Sequence, residues 1–157
     1  MHSESVPRII CTTVLIEKSP QALPLGAACI ASALKHNAAT AGKYDVVLAS
    51  VSAEDADYEA AVRSGGEARL IAGKLLDSGV PAVVCFSVYV WNRSVLERTA
   101  EEVKRRYPQI VCIAGGPEIT ADPFSGTSFD YTVAGEGETA VPELVALIAS
   151  ARTENTK

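Results

Sequence analysis

An α/β fold with a five-stranded parallel sheet is predicted from the alternation of apolar runs and helical patterns along the 157-residue chain. Five short runs are mostly apolar, as in strands that are buried on both faces. Helical patterns lie between most of these runs, so right-handed crossovers would place helices on both sides of the sheet. The predicted fold is therefore a three-layer sandwich of the Rossmann-like or flavodoxin-like type.

The individual elements follow from periodicity and from helix and turn signals. The predicted strands are Arg8–Leu15, Tyr44–Val51, Ala82–Val90, Ile110–Ala114 and Asp130–Ala134, and the predicted helices are Leu25–Lys35, Tyr58–Arg63, Ala68–Asp77, Val95–Tyr107 and Thr139–Ala151. The glycine pair 65–66 disfavours one continuous helix, so this segment is either two short helices or one broken helix. Ser94 and Glu97 have the spacing of a capping box, with Asn92 as a rival cap. Pro142 is expected in the first turn of the last helix, where proline is tolerated.

Composition excludes several classes of protein. The net charge of −5 argues against a nucleic-acid surface, which needs clustered lysine and arginine. No apolar stretch reaches the ~18 residues of a membrane span, and the first residues lack the regions of a signal peptide. The four cysteines are isolated, with neither CxxC nor CxxxCxxC spacing, which favours a reducing, cytoplasmic compartment. We expect one domain over residues 8–151, with tails at 1–7 and 152–157.

The segments that follow the strands carry the functional signal. In parallel sheets, ligands bind beyond the carboxyl ends of the strands. The run IVCIAGGPE (110–118) passes from a buried strand directly to two glycines, which either adopt a backbone angle barred to other residues or let a ligand approach. SVYVWN (87–92) follows the third strand, GEGET (135–139) follows the fifth, and a long loop with two prolines (16–26) follows the first. We expect these exits to line one ligand site at one edge of the sheet.

Other well-known ligand-binding versions of this architecture fit the motifs poorly. GEGETA (135–140) matches G-x-G-x-x-G/A, but it follows the last strand instead of the first. Glu136 and Glu138 would also place negative charge beside a pyrophosphate. A phosphorelay receiver needs paired acids at the end of the first strand, where this chain has Thr12 and Thr13. The following loop is a poor flavodoxin phosphate loop, and a Walker sequence is absent.

Four segments, in this order and spacing, resemble the cobalamin-binding domain found at the N-terminus of B12-dependent radical SAM proteins. They are PLGAACIASALK, SVYVWN, AGGPE and FDYTVAGEGE, and the resemblance runs from about Pro24 to Leu147. It implies a Rossmann-like domain with the corrin lying across the carboxyl edge of the sheet. The nucleotide tail of the cofactor would enter that edge.

The resemblance also implies a set of cofactor-binding residues. They are Pro24, Leu25, Ser87, Val88, Tyr89, Trp91, Asn92, Gly115, Gly116, Pro117, Glu118, Gly135, Glu136, Gly137 and Glu138. Gly115 and Gly116 would let the tail pass close to the backbone. Residues 135–138 would close the far wall of the tail pocket, and Pro24 and Leu25 would lie near the lower face of the cobalt.

The chain departs from many B12 domains at the lower axial position. Those domains place a histidine in a D-x-H-x-x-G motif after the first strand, and this chain has no such motif. Its two histidines are His2 and His36, and His36 is interpreted as a helix-end residue that faces the dipole. Radical SAM relatives commonly lack the axial histidine too. The lower ligand therefore stays open between Tyr89, Trp91 and water.

The predicted function is a cofactor-binding module that holds cobalamin. A 4Fe–4S cluster and S-adenosylmethionine would need the CxxxCxxC motif of a radical SAM catalytic domain, of the methyltransferase type, in the same parent chain or in a separate partner. Glu136 and Glu138 are interpreted as hydrogen-bond acceptors, because no triad or metal-ligand cluster surrounds them. One alternative is a small α/β enzyme or binder that uses the same edge for another nucleotide or a phosphorylated ligand. Another is a purely structural domain.

Overall fold

The structure, a computed structural model, describes residues 6–119 and 126–154. Its strands are β1 (Arg8–Leu15), β2 (Asp45–Ser52), β3 (Val83–Ser87), β4 (Val111–Gly115) and β5 (Tyr131–Val133), and its helices are α1 (Leu25–His36), α2 (Ala56–Ser64), α3 (Glu67–Leu76), α4 (Arg93–Arg106) and α5 (Gly137–Glu154). The strands form one parallel sheet in the order β2–β1–β3–β4–β5. The strand order reverses between β1 and β3, as in flavodoxin-like sheets. The predicted fold class is confirmed.

Helices cover both faces of this sheet, and two apolar clusters result. The α1/α5 face holds residues such as Ile9, Cys85 and Ile113 packed against α1 and α5. The α3/α4 face holds residues such as Val84 and Phe86 packed against α3 and α4. Fully burying a side chain of this size contributes about 1.5–3 kcal/mol by removing apolar surface from water. Both layers are therefore needed to hold the carboxyl edge of the sheet in place.

The register of the central strands fixes which residues share a face. Cys85 pairs with Ile113, and two residues later Ser87 pairs with Gly115. Gly115 also pairs with Val133 of β5. Because side chains alternate along a strand, all of these positions face the α1/α5 side. The last row at the carboxyl edge is thus Ser87, Gly115 and Val133.

The third strand is shorter than predicted, and the helix after it starts differently. β3 ends at Ser87 instead of Val90, because the Tyr89 N–H donates to the side-chain carbonyl of Asn92 at 2.8 Å and turns the chain away from the sheet. α4 begins at Arg93, so the predicted Ser94–Glu97 capping box is wrong and Ser94 lies inside the helix. Asn92 occupies the N-cap position, but its side chain makes no capping hydrogen bond.

The second half of the chain differs from prediction at the last helix. α5 begins at Gly137 instead of Thr139 and ends at Glu154, three residues beyond the prediction. Pro142 therefore lies inside the helix, not in its first turn, and its side chain is buried. Between β2 and β3, the glycine pair does separate two helices, with Gly65 in the left-handed conformation at φ 69°. Residues 1–5 and 155–157, which include most of the predicted tails, lie outside the described residues.

Within the described ranges, no helix has the length and apolar character needed to cross a membrane.

Candidate functional site

A pocket of about 150 Å³ opens at the carboxyl edge of the sheet on the α1/α5 face. It lies between the ends of β3, β4 and β5 and the first turns of α1 and α5. We call it the edge pocket. Its lining residues are Gly26, Ala27, Ile30, Cys85, Phe86, Ser87, Tyr89, Ile113, Gly115, Gly116, Pro117, Val133, Gly135, Gly137, Glu138 and Val141.

Gly115 keeps the middle of the edge pocket open. It is the last residue of β4 and stands in the row between Ser87 and Val133. A Cβ atom at Gly115 would meet only the Val133 carbonyl oxygen at 3.7 Å, which is ordinary contact. The protein would therefore accept a small side chain here. The missing side chain instead leaves the backbone of β4 open to the pocket.

Gly116 is a glycine for a different reason. Its φ is +111°, in the region that side chains disfavour, and a Cβ would lie 2.6 Å from the Val88 carbonyl oxygen. Two main-chain segments meet at this point, since the Val88 N–H donates to the Gly115 carbonyl and the Glu118 N–H donates to the Val88 carbonyl. Gly116 is thus required by the packing of the protein backbone against itself.

The first turn of α1 forms one wall of the edge pocket. A Cβ at Gly26 would lie 2.7 Å from the Tyr89 hydroxyl oxygen and 3.2 Å from Ser87 Oγ. Gly26 therefore lets the start of α1 approach the end of β3. One turn later, Ile30 of the same helix adds an apolar surface.

The start of α5 forms the opposite wall. Gly135 adopts φ +83° and turns the chain from β5 towards the helix. A Cβ at Gly137 would lie 2.7 Å from Ile30 Cδ1, so this glycine lets α5 pack closely against α1. Glu138 and Val141 then line the pocket from successive turns of α5.

Two hydroxyl groups face the edge pocket without a protein partner. Ser87 is buried, and within residues 6–119 and 126–154 neither its hydroxyl nor that of Tyr89 makes a hydrogen bond. The Ser87 carbonyl, by contrast, accepts a hydrogen bond from Thr13 Oγ1 at 2.8 Å. The backbone of Ser87 is therefore fixed while its side chain is left available. The Ser87 hydroxyl is reached by solvent through the pocket, because the buried side-chain atoms without a partner among the described residues are Thr12 Oγ1 and Glu67 Oε2.

Several predicted site residues do line this pocket. They are Ser87, Tyr89, Gly115, Gly116, Pro117, Gly135, Gly137 and Glu138. The edge pocket thus brings together the exits of three strands, as expected for parallel strands whose carboxyl ends share one edge.

Other predicted residues make contacts within the protein and do not line the pocket. Val88 is fully buried in the cluster on the α3/α4 face. Asn92 is also buried, and its side-chain amide donates to Thr13 Oγ1 at 3.0 Å. Glu118 forms an ion pair with Arg93 at 3.6 Å, outside the pocket. These three residues are not among the lining residues of the edge pocket.

The remaining predicted residues lie outside the pocket at the same edge. Pro24 occupies the N-cap position of α1, and Glu136 is exposed just before α5. Leu25 and Trp91 are exposed beside the pocket. Trp91 stacks on Tyr89 with ring centroids 4.6 Å apart, and its indole N–H donates to the Val14 carbonyl at 3.2 Å.

Exposed apolar side chains concentrate on the exits of β1 and β3. We call this surface the apolar rim, and its members are Ile16, Leu23, Leu25, Val90 and Trp91. Isolated exposed apolar residues are ordinary, but several of them on two loops that leave the same edge of a sheet are typical of a surface that binds a ligand or a partner.

The thiols and the histidine near this region do not form a reactive centre. A hydrogen bond with Cys11, together with burial, raises the pKa of the Cys85 thiol, so the floor of the edge pocket carries a neutral thiol. Burial raises the pKa of Cys112, on the other face, to about 12. His36 lies at the far end of α1, where its Nδ1–H donates to the Ser32 carbonyl at 2.8 Å. His2 lies outside the described residues, and the described ones contain no cluster of metal-ligating side chains.

Sequence reasoning missed the apolar part of the pocket. The missed residues are Gly26, Ala27, Ile30, Cys85, Phe86, Ile113, Val133 and Val141. The signal for Cys85 and Ile113 was present in the strands, since each lies two residues before a predicted site residue and therefore shares its face. The signal for Ile30 was its position four residues after Gly26, on one side of α1.

Comparisons with known proteins show the family to which this chain belongs. The chain is 40% identical over 72 residues to the "Cobalamin-dependent radical SAM methyltransferase TokK" of Streptomyces tokunonensis. It is 41% identical over 69 residues to the "2-(S-pantetheinyl)-carbapenam-3-carboxylate methyltransferase" of Streptantibioticus cattleyicolor. These matches cover 42% and 41% of this chain and 10% of each relative. The family model described as "B12 binding domain" matches residues 12–145, and the chain therefore belongs to the B12-binding domain family.

Proposed function

We propose that this chain holds cobalamin at the carboxyl edge of its sheet, with the nucleotide tail of the cofactor in the edge pocket. The observation that carries the proposal is the row Ser87, Gly115 and Val133, which joins a hydroxyl without a protein partner to a bare backbone at the mouth of an apolar pocket.

The residues of the edge fit the parts of the cofactor. A pocket of about 150 Å³ is too small for a corrin but suits a single flat aromatic group, which is what the tail carries. The Ser87 and Tyr89 hydroxyls would supply hydrogen bonds at the mouth of the pocket. The larger macrocycle would lie outside, against the apolar rim. Bound cobalamin would supply a cobalt centre able to carry a methyl group.

The cobalt would be held here without a histidine from the region that B12 domains commonly use. The segment after β1 contains no histidine, and His36 lies at the opposite end of the 12-residue helix α1, about 18 Å from its start. The stacked Tyr89 and Trp91 rings lie beside the pocket and offer an aromatic surface at this position. We therefore propose that the lower face of the cobalt in bound cobalamin would meet aromatic side chains or water.

The chemistry would belong to a radical SAM catalytic domain. The two relatives named above are methyltransferases, and this chain spans about a tenth of their length. The 4Fe–4S cluster and S-adenosylmethionine would be bound by such a domain, in the same parent chain or in a partner. The apolar rim is the surface of this domain that would face both the corrin and that partner.

Mixing the protein with hydroxocobalamin, desalting it and recording the visible spectrum tests the proposal. We expect colour to be retained. Ser87→Ala should weaken binding about two- to tenfold, the value of one hydrogen bond, and should leave the melting temperature nearly unchanged because the hydroxyl has no protein partner.

Ser94→Ala is the matched control, since Ser94 is exposed on α4 and outside the pocket. It should bind hydroxocobalamin like the wild type. A wild-type protein that stays colourless but gains thermal stability with a nucleotide or a phosphorylated ligand would contradict the proposal.

A further inference from the structure

We infer that the edge pocket selects corrinoids by the polarity of the lower base, favouring an all-carbon benzimidazole ring over a purine. The inference rests on the proposed function and extends it to the class of corrinoid that the domain accepts. It depends on where the polar and apolar groups of the pocket lie.

The polar groups lie at the mouth and the apolar groups lie deeper. Ser87 is the last residue of β3, whereas Cys85 comes two residues earlier on the same face. The same holds for Gly115 and Ile113 on β4. The floor between the strands is thus formed by a thiol and an isoleucine.

The helices repeat this arrangement. On α1, Gly26 lies beside the two hydroxyls at the mouth, and Ile30 follows one turn deeper. On α5, the carboxylate of Glu138 comes first and Val141 follows nearly one turn later. On β3, β4, α1 and α5 the apolar residue therefore lies on the inner side, while β5 contributes Val133 at the mouth.

The chemistry of the tail decides which part of the base meets this floor. The base is joined through its five-membered ring to a ribose phosphate, and this in turn to the corrin, which is too large to enter. The six-membered ring must therefore enter first. In a benzimidazole that ring is entirely carbon, whereas in adenine it carries ring nitrogens and an amino group.

A purine would consequently bury polar atoms against groups that cannot pair with them. Ile30, Ile113 and Val141 offer no side-chain hydrogen bond, and the neutral Cys85 thiol offers only a weak one. Buried polar atoms without partners weaken binding, and apolar pockets discriminate between analogues by about tenfold to a hundredfold.

The test compares three corrinoids on the same protein: hydroxocobalamin, a cobamide with adenine as the lower base, and cobinamide, which lacks the tail. Dissociation constants come from visible-absorbance titrations. We expect hydroxocobalamin to bind about tenfold or more tightly than the adenine cobamide, and cobinamide to bind more weakly than hydroxocobalamin.

The outcomes separate the inference from the proposed function. Equal affinity for hydroxocobalamin and the adenine cobamide overturns the inference and leaves the domain a corrinoid binder. Equal affinity for hydroxocobalamin and cobinamide also overturns it, because the tail would then stay outside the pocket. Failure of all three to bind overturns the proposed function itself.

A single-atom substitution tests the role of the floor. Cys85→Ser places a hydroxyl beneath the base and should reduce the preference for hydroxocobalamin over the adenine cobamide. Cys112→Ser is the matched control, because Cys112 faces the opposite side of the sheet and should leave the preference unchanged. An unchanged preference in Cys85→Ser overturns the assignment of selectivity to the floor.

Discussion

The two faces of the sheet reach the same carboxyl edge but end differently there. On the α1/α5 face the last row, Ser87 and Gly115, borders an open pocket. On the α3/α4 face the next residues, Val88 and Gly116, meet backbone to backbone and close the layer. Adjacent residues in the same motif therefore serve opposite purposes, since Gly115 leaves a pocket open and Gly116 lets the backbone pack closely.

The closed face shows what a filled edge looks like in this protein. Val88 and Ile119 are buried, and the rings of Phe86 and Phe129 pack 5.4 Å apart at an angle of 58°. Asn92 joins the exit of β3 to β1 through Thr13. The contrast indicates that the open pocket results from small residues at this edge, because Val88 and Ile119 fill the corresponding edge on the other side of the sheet.

The largest expected effect comes from disturbing the closed face at Gly116. Gly116→Ala combines an unfavourable φ of +111° with a Cβ at 2.6 Å from the Val88 carbonyl. The substitution should lower the free energy of unfolding by at least about 2 kcal/mol, measured by urea denaturation. The matched variant Gly115→Ala should remain within about 1 kcal/mol of the wild type, because its Cβ meets only ordinary contacts. Equal losses in the two variants would refute the division between the faces.

The next effect is on binding at the open face. Gly115→Leu fills the space above β4. We therefore expect the affinity for hydroxocobalamin to fall by roughly tenfold or more, with the fold retained. Circular dichroism and a urea curve establish that the protein is folded, and a visible-absorbance titration gives the affinity. Unchanged affinity in folded Gly115→Leu would show that the tail does not pass this residue.

The sequence predicted most of the fold because its signals were local and repeated. Buried strands, the glycine pair at 65–66 and the parallel connections all followed from periodicity and from glycine placement. The predicted start of α4 was wrong because the Asn92 side chain accepts a hydrogen bond from the Tyr89 N–H. This orientation of Asn92 depends on the packing of β1 against β3, since its amide also donates to Thr13. Such tertiary contacts carry no signal in a short stretch of sequence.

The site was predicted as a set of motifs, and only part of that set reaches the pocket. Strand alternation could have separated Ser87 from Val88, since neighbouring residues in a strand face opposite sides. The resemblance predicted Gly137, but strand alternation does not give the reason for this glycine, which is the close approach of Ile30 from α1. Packing between helices that are distant in the sequence was therefore harder to predict than the edge of the sheet at which the pocket lies.

The smallest expected effect concerns carboxyl groups that form ion pairs, such as Glu67 on the α3/α4 side of the sheet. Glu67 begins α3 on the closed side, and its own backbone N–H and the Arg98 guanidinium lower its pKa below the ordinary value of 4.5. A carboxyl with a lowered pKa stabilises the fold fully above its unfolded value, and this contribution is lost as the pH falls through the folded value. In the same way, a hydrogen bond with Lys18 lowers the pKa of Asp55, and a hydrogen bond with Lys74 lowers the pKa of Asp57.

Glu67→Gln removes one of these groups, so the free energy of unfolding should fall less steeply between about pH 5 and pH 3 than in the wild type. The remaining dependence of the free energy of unfolding on pH would come from groups such as Asp55 and Asp57. Hydroxocobalamin binding at neutral pH should be unchanged, because Glu67 lies outside the edge pocket, on the other face of the sheet. An unaltered slope in Glu67→Gln would show that the Glu67–Arg98 pair is as stable protonated as ionised. Altered binding would show that the two faces are coupled, against the division that the structure indicates.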